Sequence, residues 1–173
     1  MGEPQTYENF PLWMPALASL VTLSIYATGA IILAGFGIAI SILYLLYCLG
    51  LEIRIMRSSC VNCYYYGRDC GIGKGRLAAL LFKQGDAKRF GRDTFSWIDL
   101  LPDFLVFLVP ALGAAVLMVS HFAWSTAALL LVLIVLVFGG NSAVRSSFAC
   151  KYCKQRELGC PAERLFNIPK KSI

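Results

Sequence analysis

Two long uncharged stretches dominate the hydrophobic pattern of the chain. Residues 11–51 contain no Asp, Glu, Lys or Arg, and residues 104–140 contain none either. A membrane-spanning helix needs ~20 mostly apolar residues, so each stretch is long enough for two helices. The pattern therefore predicts four transmembrane helices, at about 11–29, 32–53, 98–118 and 122–141.

The composition agrees with an integral membrane protein of the all-α class, because 58% of the residues are hydrophobic. The first ten residues, MGEPQTYENF, lack the basic region of a secretory signal, so we expect no cleavable signal peptide. The lipid bilayer is the first predicted partner.

Positive charge is confined to two parts of the chain. All sixteen Lys and Arg lie between Arg54 and Arg92 or between Arg145 and Lys171, and the net charge is +6. Cytoplasmic flanks of membrane helices collect Lys and Arg. With four spans, both termini and the central loop share one side, which we predict to be cytoplasmic. The basic excess is then a topology signal, and the sequence predicts neither a nucleic-acid nor a nucleotide partner.

A weak internal repeat relates the two halves. MPALASLV at 14–21 resembles VPALGAAVL at 109–117, and RSSC at 57–60 resembles RSSFAC at 145–150. We read two like-oriented helical hairpins, each followed by a cysteine knuckle on the cytoplasmic side. The predicted units are 1–70, an interfacial linker at 71–95, 96–160 and a tail at 161–173.

The linker contains a short amphipathic pattern. In GRLAALLFKQGDAKRF, three leucines share one helical face and basic residues flank it, which is typical of a helix lying in the membrane interface. SWID at 96–99 resembles a capping box, with Ser96 as N-cap and Asp99 at N3, and marks the start of the third span.

The strongest chemical signal is a repeated cysteine spacing, C-x2-C-x6-C. It occurs in CVNCYYYGRDC at 60–70 and in CKYCKQRELGC at 150–160. Paired C-x2-C elements in a reducing compartment indicate a metal site before they indicate disulfides. One copy has three thiols and no nearby histidine, since His121 is placed at the opposite membrane face. Both copies together supply six candidate ligands: Cys60, Cys63, Cys70, Cys150, Cys153 and Cys160.

The double C-x2-C-x6-C resembles the spacing of the fungal binuclear zinc cluster, over these two eleven-residue stretches. In that family six cysteines hold two zinc ions, and the first cysteine of each half bridges both. The resemblance implies that Cys60 and Cys150 are bridges and that the other four are terminal ligands. The basic run of that family is absent between the second and third cysteines, so its DNA-binding role is not implied.

Other metal arrangements remain open. A single zinc ion, or an iron–sulfur cluster, could be held by Cys60, Cys63, Cys150 and Cys153. Three disulfides or redox-active C-x2-C pairs are further alternatives. Four charged residues are candidates to support the site: Arg57, Arg145, Glu52 and Arg54. The seventh cysteine, Cys48, falls in the second span and is expected to be a small buried residue.

Other polar features carry weaker signals. Asp99 and Asp103 lie four apart at the start of the third span, where helix capping and the helix dipole explain them better than a polar site does. CGIGKGR at 70–76 has Gly75 where a P-loop needs Ser or Thr, so nucleotide binding is not expected.

No Ser/His/Asp or Cys/His catalytic set can be assembled, and a non-enzymatic role is favoured. The predicted function is that of a scaffold or partner-binding membrane protein, with one or two zinc ions and a protein partner on the cytoplasmic face. The alternatives are a membrane redox protein and a metal transporter, sensor or chaperone.

Overall fold

The computed structural model describes residues 6–87, 90, 97–120, 122–158 and 160, and for residues 97–100 it describes the backbone. Four of its helices are long and apolar enough to cross a membrane: Trp13–Ala34, Ile38–Asn62, Leu101–Ser120 and Trp124–Ala149. These described residues form no strand, and an isolated parallel bridge pairs Tyr7 with Cys153. The predicted all-helical architecture with four candidate spans is confirmed.

The first two spans are α1 (Trp13–Ala34) and α2 (Ile38–Ser58). Our predicted turn near residues 29–32 is wrong, because the chain reverses at residues 35–37, where Gly37 has φ +130°. A positive φ is tolerated by glycine, which lacks a Cβ. Gly29 instead lies inside α1 at a close helix contact, where a Cβ would lie 2.5 Å from Oη of Tyr44.

The remaining helices are α3 (Gly75–Leu81), α4 (Trp97–Ser120) and α5 (Trp124–Ile134). The helix of the fourth span continues beyond α5 through π-helical turns at Val135–Gly140 and Val144–Ala149. Our predicted end at residue 141 is therefore wrong. Asn141 and Ser142 do not end the helix, because its backbone hydrogen bonding continues to Cys150, whose N–H bonds to the Arg145 carbonyl at 2.7 Å.

The described residues fall into two compact units. The helical unit comprises residues within Leu20–Arg54 and Ser96–Ser142, and the cysteine unit comprises residues within Met1–Ser19, Ile55–Phe95 and Ala143–Ile173. Both cysteine segments, at 60–70 and 150–160, belong to the cysteine unit. The first segment begins in the last residues of the second candidate span, Ile38–Asn62, and the second segment directly follows the fourth, Trp124–Ala149.

Helix α1 contributes to two buried clusters of the helical unit. Ile25 and Ile32 pack with Ala114 of α4 and Leu133 of α5. A second cluster joins α1 to α2 and consists of Ala30, Leu33, Tyr44 and Cys48. Apolar packing of α1 against three other helices thus organises this unit, while the duplicated-hairpin arrangement stays a prediction.

A proline in α4 creates a specific polar contact between helices. Pro110 has no N–H, so the Val106 carbonyl four residues earlier lacks its usual helical donor. The Tyr44 hydroxyl donates to that carbonyl at 3.0 Å. Backbone groups in an apolar environment must be paired within the protein, and Tyr44 supplies the missing donor.

Helix α3 lies in the predicted linker and exposes its leucines. Leu77, Leu80 and Leu81 are exposed, whereas Ala78 is fully buried. The predicted position of this helix in the membrane interface stays a prediction. Several residues named in the sequence analysis lie outside the described residues. They are Lys88, Ser96, His121, the tail at 161–173 and the side chain of Asp99.

Candidate metal centre

All seven cysteines lie in the described part of the chain, and no disulfide joins any of them. Cys48 is 1% exposed and packs with Tyr44 in the helical unit. The prediction that Cys48 is a small buried residue is confirmed. The other six cysteines lie in the cysteine unit, on the two segments that the sequence singled out.

One buried cluster receives cysteines from both segments. Phe10, Met14 and Tyr65 form its centre, and each is at most 5% exposed. Cys63 and Cys70 of the first segment and Cys153 of the second pack against this centre. Residues 71–149 separate the two segments in sequence, so only the tertiary fold brings these thiols to one cluster.

Hydrogen bonds tie the two segments together at the same place. The Tyr64 N–H donates to Oε1 of Gln155 at 2.7 Å, and the Lys154 N–H donates to the Tyr65 hydroxyl at 3.0 Å. That hydroxyl in turn donates to the Tyr7 carbonyl. The segments are therefore held together by directed bonds as well as by packing.

The chain preceding the first span is part of this arrangement. The Tyr7 N–H donates to the Tyr152 carbonyl at 3.0 Å, and the Phe10 N–H donates to the Asp69 carbonyl at 3.0 Å. Lys154 also pairs with Glu8 at 3.1 Å, which lowers the pKa of that carboxyl. Residues 7–10 thus contact both cysteine segments.

The two segments share several backbone hydrogen bonds. The N–H of the second cysteine bonds to the carbonyl of the first in both, at 3.3 Å for Cys63 and 3.4 Å for Cys153. The carbonyls of Cys63 and Cys153 then accept the N–H of the residue three positions later, at 3.1 and 3.2 Å. Both second cysteines are extended, with φ −83° and −81°. The segments thus share these hydrogen bonds, although their 3-10 turns fall at different places, Cys60–Asn62 and Lys154–Arg156.

Backbone N–H groups point at three of the sulfurs. The N–H groups of Lys74 and Gly75 each lie 3.2 Å from Sγ of Cys70. The backbone of the residue two positions after Cys63 and after Cys153 also hydrogen-bonds to the thiol. Hydrogen bonds to the charged form of a group favour that form, so these donors stabilise thiolates.

Burial acts in the opposite direction. It raises the pKa of the Cys63 thiol to about 11 and that of Cys153 to about 12, and it also raises the pKa of Cys150. The neighbouring thiol of Cys160 contributes to all three increases. Without a cation, these thiols stay protonated at neutral pH. The mutual effects also place Cys160 close enough to the other three to interact with them electrostatically.

The side-chain positions themselves do not form a coordination sphere. Among the residues that the structure describes, no group of three or more His, Cys, Asp or Glu side chains is arranged so that it could hold a metal ion. The structure thus brings cysteines of both segments into one unit, but it does not bring their sulfurs to a single point.

The predicted supporting residues divide between the two units. Arg145 lies beside Cys150 and opposes the rise in the pKa of that thiol, and Arg57 lies exposed in the last turn of α2. Glu52 accepts a 2.7 Å hydrogen bond from the Tyr26 hydroxyl in the helical unit, to which Arg54 also belongs. Asp103 is exposed on α4, next to Pro102, whose carbonyl accepts the Tyr47 hydroxyl at 2.8 Å.

Sequence reasoning missed three elements of this unit: Gln155, Tyr65 and residues 7–10. The YYY run at 64–66 was the available signal, because a buried tyrosine needs a hydrogen-bond partner. Nothing in the sequence distinguishes Gln155, which is 4% exposed, from its partly exposed neighbours Lys154 and Arg156.

No protein-family model, curated protein or solved structure matches this chain.

Proposed function

We propose that the cysteine unit binds zinc through thiolates of both segments. The protein is then a membrane-anchored scaffold, and the surface stabilised by zinc binds a protein partner. The observation that carries this proposal is the packing of Cys63, Cys70 and Cys153 against one buried cluster. Zinc prefers four ligands with tetrahedral geometry, and neither segment has four cysteines. A site with four cysteine ligands therefore needs thiolates from both segments.

The support for metal binding comes from the backbone of the two cysteine segments, since the sulfur atoms do not yet meet at one point. The segments have matching extended cysteines, and N–H groups are already directed at Cys63, Cys70 and Cys153. A change of χ1 rotamer moves a sulfur while the backbone stays in place. Turning the thiols toward one ion therefore leaves the hydrogen bonds between the segments intact.

Positive charges around the cluster favour an anionic thiolate centre. Arg68 lies 4.9 Å from the ring centroid of Tyr64, and Lys154 lies 5.3 Å from the same ring. Lys151 lies 5.5 Å from the ring of Tyr152. Six thiolates with two zinc ions would carry a net charge of −2, which these three cations offset.

The raised thiol pKa values argue against the thiol–disulfide alternative. The thiolate is the nucleophile in disulfide exchange, and catalytic cysteines have lowered pKa values. Burial raises the pKa of Cys63 to about 11 and that of Cys153 to about 12. A bound metal ion reverses this, because a coordinating thiol is deprotonated by the ion.

A structural role suits the position of the site in the chain. Structural zinc contributes on the order of 10 kcal/mol to the folding of small domains. Here it would link the ends of the second and fourth spans through the segments that follow them. We place this unit on the cytoplasmic side, because Lys and Arg concentrate in it and in its flanking residues.

Elemental analysis of protein purified without oxygen tests the proposal. We expect one or two zinc ions per chain, two if Cys60 and Cys150 both bridge, and a colourless protein. A brown protein containing iron and sulfide would support the iron–sulfur alternative. Protein without stoichiometric metal, even after refolding with zinc under reducing conditions, would refute the proposal.

A further inference from the structure

An open cleft in the cysteine unit lies beside the thiol cluster, and Cys70 is part of its wall. It has a volume of about 320 Å³ and is bounded by the start of α1 and by the loop that leads into α3. Small-ligand sites have volumes from ~300 Å³ upward, so the cleft can accommodate a compact polar group. Its α1 wall consists of Leu12, directly before the helix, and of Pro15, Ala16 and Ser19. The opposite wall includes Arg68 and Asp69 of the loop and Arg76 in the first turn of α3.

Two arginines of the cleft are held in place by neighbouring side chains. The Nη1 group of Arg68 donates to the Tyr64 hydroxyl at 2.9 Å, and its guanidinium lies over the Tyr64 ring. Nη2 of Arg76 pairs with Asp69 at 2.7 Å, while 67% of the Arg76 side chain stays exposed. Asp69 offsets one of the two positive charges. The cleft therefore has a net charge of +1 from these three residues.

A pair of positioned guanidiniums is typical of a phosphate site. The planar fork of arginine matches the geometry of phosphate oxygens and binds them with two parallel hydrogen bonds. The hydroxyl of Ser19 is a further hydrogen-bonding group on the α1 wall. We propose that this cleft binds a phosphate group, and that its source is the headgroup of an anionic phospholipid.

The position of the cleft along α1 favours a lipid as the source. Its α1 wall occupies residues from Leu12 to Ser19, at the beginning of a 22-residue candidate span. At 1.5 Å per residue such a helix is about 33 Å long, close to the ~30 Å hydrocarbon core of a bilayer. The start of the span therefore lies at the boundary between the headgroups and the hydrocarbon core, within reach of the long arginine side chains. Leu12, Pro15 and Ala16 offer an apolar surface beside the arginines for the adjoining part of a lipid.

Native mass spectrometry of the detergent-solubilised protein tests this proposal, with phosphatidylglycerol and phosphatidylcholine as the probes. We expect one retained phosphatidylglycerol per chain and weak retention of phosphatidylcholine. Arg76→Gln should weaken phosphatidylglycerol binding by about tenfold, since one charged hydrogen-bonding group is lost. Arg68→Gln should have a similar effect.

Two further variants separate the cleft from a general charge effect. Lys83→Gln removes one positive charge outside the cleft and should leave binding within about twofold of the wild type. Ala16→Phe fills the α1 wall while both arginines remain, and should abolish binding. Equal weakening by Lys83→Gln and Arg76→Gln would overturn the proposal, and so would equal retention of the two lipids.

Inorganic phosphate identifies the source of the phosphate group. If the cleft binds a lipid, millimolar phosphate should not displace phosphatidylglycerol, because the lipid also has apolar contacts. Complete displacement would overturn the assignment to a lipid and point to a free phosphate. We expect unchanged zinc content in Arg76→Gln, so a loss of lipid binding can be told apart from a loss of the proposed metal centre.

Discussion

The Tyr64 N–H donates a 2.7 Å hydrogen bond to Oε1 of Gln155, 91 positions later in the chain. This bond joins the residue after the second cysteine of one segment to the residue two positions after the second cysteine of the other. It lies beside the cluster that receives Cys63 and Cys153. The two segments are therefore aligned at their second cysteines, where a shared metal ion would be bound.

The Tyr65 hydroxyl should be needed for joining the two segments. Tyr65→Phe removes the acceptor of the Lys154 N–H and the donor to the Tyr7 carbonyl. Leaving buried backbone groups unpaired costs about 1–3 kcal/mol each, so we expect weaker zinc binding and faster amide exchange at residue 154. Hydrogen exchange with mass spectrometry measures the latter.

Tyr66→Phe is the matched control for that variant. The Tyr66 hydroxyl donates to the Phe82 carbonyl at 2.7 Å within the same part of the chain, so its loss does not separate the cysteine segments. Amide exchange at residue 154 should stay at the wild-type rate. The same increase in both variants would mean that Tyr65 has no special role in joining the segments.

Cysteine substitutions should act across the two segments. Cys63→Ser and Cys153→Ser each remove a thiol from the same cluster, so either one should lower the zinc content at both segments. Cys48→Ala changes a buried thiol of the helical unit and should leave the zinc content unchanged. Metal analysis of the purified variants is the measurement. Independent loss of one metal ion per segment would contradict a shared centre.

Zinc affinity should fall as the pH falls. Burial raises the pKa values of Cys63 and Cys153 to about 11 and 12, so both thiols are protonated at neutral pH and zinc must displace their protons. Each displaced proton lowers the apparent affinity by up to tenfold per pH unit. Chelator competition between about pH 6 and pH 8 measures this slope. A pH-independent affinity would contradict thiolate ligation.

The metal-free protein should respond to pH in the alkaline range. A raised folded-state pKa contributes stability that is present below the unfolded value of 9.0 and is lost as the pH rises toward 11. Thermal unfolding of the metal-free protein, followed by tryptophan fluorescence, should therefore show a falling Tm over that interval. The zinc-bound protein, whose thiolates are already deprotonated, should lack this decrease.

The hydrogen bond from the Tyr44 hydroxyl of α2 to the Val106 carbonyl of α4 should matter for stability because Pro110 lacks an N–H. Tyr44→Phe leaves the Val106 carbonyl without its donor and should destabilise the helical unit by about 1 kcal/mol. In a Pro110→Ala background, the new backbone N–H can bond to that carbonyl, so the same substitution should cost less. Denaturation of the wild type, the two single variants and the double variant measures this coupling.

Tyr47→Phe provides the comparison for the double-mutant cycle. The Tyr47 hydroxyl donates to the Pro102 carbonyl at 2.8 Å, at an exposed position of the same helix pair. Tyr47→Phe should lower the free energy of unfolding by the same amount in the wild type and in the Pro110→Ala background. If Tyr44→Phe also shows no coupling to Pro110→Ala, the explanation of this contact is wrong.

Hydrophobic length determined the number of candidate spans, because a span requires about 20 apolar residues whatever its neighbours are. It did not determine where the helices end. Gly29 was a reasonable turn residue by composition, but its lack of a Cβ serves the close contact with Tyr44 instead. Asn141 and Ser142 were reasonable helix ends, but continued backbone hydrogen bonding extends the helix to Ala149.

Cysteine spacing by itself identified the two segments, since C-x2-C-x6-C is visible without any structure. Only the tertiary structure decided that Cys63, Cys70 and Cys153 share one cluster, and that Gln155 and Tyr65 join the segments. The physical reason is that spacing reports contacts between residues near one another in sequence. Contacts between residues 60–70 and 150–160 depend on the path of the chain through the intervening helices, and a local sequence pattern does not predict that path.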